Sequence, residues 1–240
     1  MEEIRLWGAI VNALAIVGGS LVGLLVRRLI GGGKREGKSA LSDHIYYGMG
    51  LCVLIIGISG AIEDCNILIV ILSVALGSVL GHLMRLESGI NILGNKIEVM
   101  AKDRFGNVAE GFVSASLLFC VGSMAIVGAL NSGLSADHTV QYTKATIDCV
   151  VSVVMAVSLG VGVCFSALPV FVLQGGITLF AQWIAPFLTA DIITAMSVVG
   201  SILIVGVATN MLGMTRLKIM NYMPATFLPL LLVPLFGLLS

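Results

Sequence analysis

Lys144 and Asp148 stand four residues apart inside a largely apolar stretch of the chain. On a helix that spacing places both side chains on one face, close enough to pair. A charge at the centre of a bilayer costs about 2.5–3.5 kcal/mol on insertion scales. The pair therefore reads as a structural ion pair or as an ion or proton site, or gate, about a turn from the outer edge. Further polar candidates for holding a small solute or ion are Asn12, Gln174 beside Gly175 and Gly176, Asn210, and the run Ser114, Ser116, Cys120 and Ser123. Polar groups in membrane helices face a neighbouring helix or a wet cavity. Two glycines beside Gln174 would leave its backbone accessible. A break at Gly122-Ser123 would free amides and carbonyls at membrane depth, which is how many transporters hold ions and anionic groups. Close packing of small residues is the competing reading of the same positions.

Nothing points to catalysis. His44 and His82 lie near the ends of apolar runs and His138 lies between two of them. No metal-binding H-E-x-x-H, nucleophile elbow, phosphate loop or dinucleotide fingerprint occurs, so no enzyme, metal or cofactor is expected. The five cysteines, Cys52, Cys65, Cys120, Cys149 and Cys164, include no C-x-x-C pair and read as small buried apolar residues.

These residues need elements to position them, and composition says which. Of 240 residues 58% are hydrophobic and 11% charged, against roughly 25% charged in a soluble domain. Mean hydropathy is +1.08. Such a chain cannot cover itself with a charged shell, and a net charge of zero argues against nucleic acid as a partner. Apolar runs at 6–26, 46–62, 66–84, 111–131, 144–165, 168–188, 191–212 and 222–239 each approach the roughly 20 residues that cross a bilayer as a helix. The sequence thus predicts an all-α membrane bundle of about eight spans in one domain, 1–240, with the lipid bilayer as its main partner. The count falls to seven if 168–188 is re-entrant. Pro169 marks the expected break between spans 5 and 6 at Ser166-Ala167. Residues 1–5 lack the basic region of a removable leader, so the first run is itself a span.

Lys and Arg orient the bundle. Arg27, Arg28, Lys34, Arg35 and Lys38 follow span 1; Arg85, Lys96, Lys102 and Arg104 follow span 3; Arg216 and Lys218 follow span 7. With eight spans these loops share one side, the cytoplasmic one, and both termini lie outside. Between spans 3 and 4, Leu86, Ile90, Leu93, Ile97 and Met100 line one helical face, predicting a cytoplasmic amphipathic helix over 86–109. It serves as a loop scaffold or as a gating or partner-binding element. The sequence is compatible with a homo-oligomer and does not fix its size.

Spans 1 and 6 share a glycine pair, Gly18-Gly19 and Gly175-Gly176, and spans 2 and 7 share the patterns GLCVLIIG and GSILIVG. Spans 1–3 would run opposite to spans 6–8, as in an inverted-topology repeat. Resemblance by composition alone is the alternative. The segments Gly-x-x-x-Gly at Gly19–Gly23 and Gly77–Gly81 predict close helix contacts.

Several stretches together resemble the YdfK/YqgA family of uncharacterised bacterial membrane proteins. They are GAIVNALAIVGGSLVGLL, EGFVSASLLFCVGSMAIVGALNSGL, YTKATIDCVVS, LGVGVCFSALPVFVLQGGITLFA and NYMPATFLPLLL. The resemblance covers the whole chain and implies a protein of the bacterial cytoplasmic membrane, without an activity. It also implies proline where this chain has Ser123, hence a less sharp break of span 4 here. The functional expectation is a transporter of a small solute or ion with its site between two inverted halves. The alternatives are an ion channel or pore, and a non-transporting scaffold or sensor.

Overall fold

A computed structural model describes residues 5–30, 40–86, 88 and 108–237. Among them every regular element is helical. The order is α1 Trp7–Ile30, α2 Ala40–Ala61, α3 Ile67–Leu83, α4 Val108–Cys120, α5 Ser123–Ser135, α6 Thr139–Leu159 and α7 Gly162–Phe165. Then come α8 Ala167–Leu179, α9 Ala181–Ile184, α10 Ala190–Met211, a 3-10 segment Ile219–Phe227 and α11 Pro229–Gly237. Helices satisfy their own backbone groups, which an apolar medium demands. At their ends side chains take over: Asn66 Oδ1 accepts from Leu68 N at 3.0 Å, and Thr189 Oγ1 accepts from Ile192 N at 3.4 Å.

Four helical stretches are long and apolar enough to cross a membrane alone, and up to six if each bent pair counts as one. The bent pairs are α4 with α5, at 61°, and the 3-10 segment with α11, at 41°. Apolar stretches Tyr46–Ala61 and Ile67–Leu83 are shorter. Large apolar side chains stay exposed along the outside, Leu29 at 81% and Trp183 at 78% among them. In water such a surface would associate; in lipid it is solvated.

Helix directions follow from which residues face each other. Gly8, Gly19 and Gly23 of α1 lie against Gln141, Ser152 and Ala156 of α6, so the two run parallel. Added side chains have no room there: a Cβ on Gly19 or Gly23 would fall 2.3 Å from the Cys149 carbonyl oxygen or 2.2 Å from that of Val153. Helix α2 runs antiparallel to α10, Gly57 facing Val205 and Gly60 facing Ser201. Helix α3 runs antiparallel to the 3-10 segment, with Gly77 on Ala225 and Gly81 on Asn221. Both Gly-x-x-x-Gly expectations are therefore met by close contacts. Helix α5 runs parallel to α8, where Thr178 Oγ1 donates to Ala129 O at 3.1 Å. Ile16, Phe119, Met155 and Leu203 form the main core between α1, α4, α6 and α10.

Several expectations need correction. Span 5 runs from Thr139 to Leu159 and ends at Gly160, whose φ of +80° turns the chain; the expected turn at Ser166-Ala167 is a minor interruption. Pro169 sits in the first turn of α8, where a missing N–H costs little. Cys52 is exposed rather than buried. Most of the amphipathic segment 86–109 lies outside the described residues.

Candidate functional site

Helix α6 carries a buried polar face. Gln141, Lys144, Asp148 and Ser152 recur at three- and four-residue steps, and all are buried. Asp148 is the tenth of the helix's 21 residues, about 14 Å along its axis. The helix starts five residues earlier than the hydropathy suggests, so Asp148 sits near its middle. A carboxylate this deep needs a compensating charge. Lys144 supplies it, Nζ donating to Oδ1 at 2.9 Å and to Oδ2 at 2.8 Å.

Two further helices close on the pair. The glycine face of α1 lets Asn12 reach α6, and its Nδ2 donates to Asp148 Oδ2 at 3.1 Å and to Gln174 Oε1 of α8 at 3.1 Å. Asn12 and Gln174 are fully buried, Asp148 is 4% exposed and Lys144 6%, so bulk water competes with none of these bonds. The ionised carboxylate only accepts, which fixes the Asn12 nitrogen toward it and the Gln174 oxygen toward that nitrogen. Asn12 Oδ1 is left as a bare acceptor and Gln174 Nε2 as a bare donor, both buried without a protein partner. Each unmet buried group costs about 1–3 kcal/mol.

Cys120 ends α4 within electrostatic reach of Lys144 and Asp148. It also lines a cavity of about 160 Å³ with Gly122, Ile177, Ser197, Thr226 and Phe227. Both bent spans contribute to that cavity: Gly122 lies at the α4–α5 break, Thr226 and Phe227 just before the second. Gly122 adopts φ +115° and ψ 145°, a conformation that only glycine takes readily. The break is thus sharp without a proline, which corrects the milder bend implied by Ser123. Ser123 begins α5 beyond it.

The remaining expected residues lie apart. Ser114 and Ser116 are buried on α4, and Ser116 Oγ lacks a protein partner. Among the described residues no hydrogen bond joins either to the Asp148 cluster. Gly175 and Gly176 sit inside α8, and Gly176 O accepts from Phe180 N at 3.0 Å. Their backbone therefore belongs to the helix ladder, which corrects the expectation that it is accessible. Asn210 clamps the loop after α10 instead of joining the site. Its Nδ2 donates to Leu217 O at 2.8 Å, and its Oδ1 accepts from Leu217 N at 2.8 Å and Thr215 Oγ1 at 2.7 Å.

Three polar contacts escaped the sequence reading. Ser132 Oγ donates to Gln141 Oε1 at 2.7 Å and meets His138 Nδ1 at 2.9 Å, linking the α5–α6 turn to the polar face. Gln141 stands three residues before Lys144, a spacing that could have revealed it. Tyr46 Oη donates to Glu110 where α4 begins. Among the described residues no group of three His, Cys, Asp or Glu could hold a metal ion.

Apolar helices with exposed hydrophobic flanks and a buried polar centre define an α-helical membrane protein. The chain belongs to the family described as Protein of unknown function (DUF554), which matches residues 7–234. It is similar to the uncharacterized membrane protein YdfK of Bacillus subtilis (strain 168), with 32% identity over 240 residues, 97% of this chain and 99% of that one. It is also similar to the uncharacterized protein YqgA of Escherichia coli (strain K12), 25% identical over 226 residues, 92% of this chain and 93% of the other. No solved structure matches it. The family expected from the sequence is the family found.

Proposed function

We propose that the protein is a transporter of a small solute or ion in the bacterial cytoplasmic membrane, working at the cluster of Asp148, Lys144, Asn12 and Gln174. The observation that carries this reading is the buried ion pair at mid-helix, tied by amides to two other helices. Lys144 and Asp148 belong to one helix, so their attraction joins no elements, and well-packed apolar residues stabilise such positions as well or better. Ionisable groups inside membrane spans instead mark pathways for ions and solutes. The two bent spans meeting at one cavity add support, since discontinuous helices form transporter sites.

Eight crossings and inverted halves belong to the same proposal. The parallel course of α1 and α6 requires an odd number of crossings between them, and three, by α2, α3 and the bent pair α4–α5, satisfies it. A twofold axis in the membrane plane would set span 1 on 6, 2 on 7 and 3 on 8. The contacts of α1 with α8, α2 with α10 and α3 with the 3-10 segment accord with that. Exchange of spans 4 and 5 also fits, because α6 runs parallel to α1 as α5 runs parallel to α8. Basic loops on the cytoplasmic side place both termini outside.

Purified protein in liposomes tests the reading. Osmotic swelling followed by light scattering should show saturable entry of a solute, and Asp148→Asn should abolish it. Unchanged entry in that variant removes the cluster from the mechanism. Single-channel currents without saturation would favour a pore.

A further inference from the structure

We propose that the Lys144–Asp148 pair opens to receive a small zwitterion with an apolar side chain, the chemistry of a free α-amino acid. This rests on the transport reading above and gives that site its substrate class.

The argument starts from charge. The buried centre holds one carboxylate and one ammonium, bonded at 2.8 Å and neutral together. A lone cation bound to Asp148 would leave the Lys144 ammonium buried without its counter-ion. A lone anion bound to Lys144 would strand Asp148 in the same way. Stranding a charge in such surroundings is costly. A ligand carrying both charges strands neither: its ammonium takes the place of Nζ on Asp148, and its carboxylate takes Lys144. No proton moves and no bond is made or broken.

The unspent hydrogen-bonding capacity fits the same ligand. Asp148 offers two oxygens, and a primary ammonium has three N–H groups. Asn12 Oδ1, a buried acceptor without a protein partner, stands on the residue already bonded to Asp148 and supplies the third. A carboxylate wants donors beyond a single ammonium. Gln174 Nε2, a buried donor without a protein partner, stands on the next residue of the same network. One free acceptor and one free donor flanking a neutral ion pair are what the two ends of a zwitterion require.

The side chain has a place as well. Leu173 and Ile177 of α8, one residue before and three after Gln174, line the cavity together with Cys120. That cavity holds about 160 Å³ and is lined mainly by apolar residues such as Leu117, Ile126, Ile177 and Met196. A cavity of roughly 150 Å³ with such walls accommodates benzene, so a side chain of leucine or phenylalanine size fits.

The test uses full-length protein in detergent, with thermal unfolding as the readout. Alanine, valine, leucine and phenylalanine are the zwitterion probes. The amine 3-methylbutylamine and the acid 4-methylpentanoate each keep the leucine side chain and one of its charges. At least one apolar amino acid should raise the unfolding temperature in a saturable way. Each single-charge analogue should bind at least about tenfold more weakly, from the loss of charge-assisted bonds. Glycine should bind more weakly than leucine. Asn12→Leu and Gln174→Leu leave both charges in place, and each should weaken amino-acid binding by about tenfold or more. Cys120→Phe should weaken leucine and spare glycine. The proposal is overturned if no amino acid stabilises the protein, or if the amine or the acid does so as well as leucine. Liposome uptake separates the two levels. Amino-acid binding without uptake removes the transport reading and keeps the zwitterion site. Asp148-dependent uptake of another solute, with no amino-acid binding, does the reverse.

Discussion

The α1–α6–α8 centre and the junction of the two bent spans lie side by side and are built on opposite principles. At the first, glycines bring two helices into backbone contact, and Asn12, Lys144, Asp148 and Gln174 are buried. At the second, two helices are interrupted, and mainly apolar walls surround a cavity of about 160 Å³. A buried ion pair marks the tightly packed region, and a cavity marks the place where the helices break. Leu173, next to Gln174 in sequence, and Cys120 both line the cavity. On the proposed reading, the difference divides recognition from accommodation: one region discriminates a charged group, the other accepts bulk.

Breaking the tight region should have the larger consequences. Lys144→Met leaves Asp148 without a counter-ion and should destabilise the protein by about 3–5 kcal/mol. Adding Asp148→Leu should restore most of that loss while uptake stays absent. Thermal unfolding and liposome assays of the single and double variants read both halves of this expectation. A double variant as unstable as the single would mean that the pair is structural after all.

Gly23→Val should come next. Its Cβ would meet the Val153 carbonyl, so α1 must retreat from α6, at a cost of about 1–3 kcal/mol. Retreat also parts Asn12 from Asp148, and solute binding should fall together with the unfolding temperature. Loss of stability with binding intact would separate the helix contact from the site.

Gly122→Ala probes the looser region. A methyl there meets no atom within 4 Å, so any effect comes from backbone strain alone, about 1–2 kcal/mol. Discrimination between leucine and glycine should change more than the affinity for glycine. Equal changes for both ligands would deny the division of labour.

The smallest effect lies at Asp137, exposed in the turn before α6. Its carboxyl accepts from Thr139 N at 3.0 Å and from Thr139 Oγ1 at 2.7 Å, which holds it below the usual carboxylate range. The depressed value means that its contribution is fully present above the ordinary carboxylate pKa and disappears as pH falls through the lowered one. Asp137→Ala should barely lower the unfolding temperature at neutral pH, and the difference from wild type should vanish in acid. A large effect at neutral pH would show that the turn governs the polar face beneath it.

Much of the fold was legible because lipid imposes a simple rule: long apolar runs must be helices. The Lys144–Asp148 pair was legible too, since its spacing is a property of one helix. Asn12 and Gln174 stood out as amides in apolar runs, but nothing local said that they meet. Their side chains come from helices 162 residues apart in sequence, and only packing brings them together. Asn210 carried the same sequence signal and folds into a loop clamp, because an amide near a helix end finds backbone partners before it finds another helix. Span boundaries went astray at Gly160, where a single positive φ ends the helix and hydropathy does not register it.

The sequence by itself determined an all-helical membrane chain, its family, its glycine contacts at Gly19–Gly23 and Gly77–Gly81, and the pairing of Lys144 with Asp148. Composition and short-range periodicity govern all of these. Tertiary structure decided that α1 runs parallel to α6, that Asn12 bridges Asp148 and Gln174, and that two bent spans share one cavity. Those depend on how surfaces far apart in the chain fit together. The physical reason is that lipid rewards every apolar face alike, so the choice among faces falls to steric fit and to the few polar groups that must find partners.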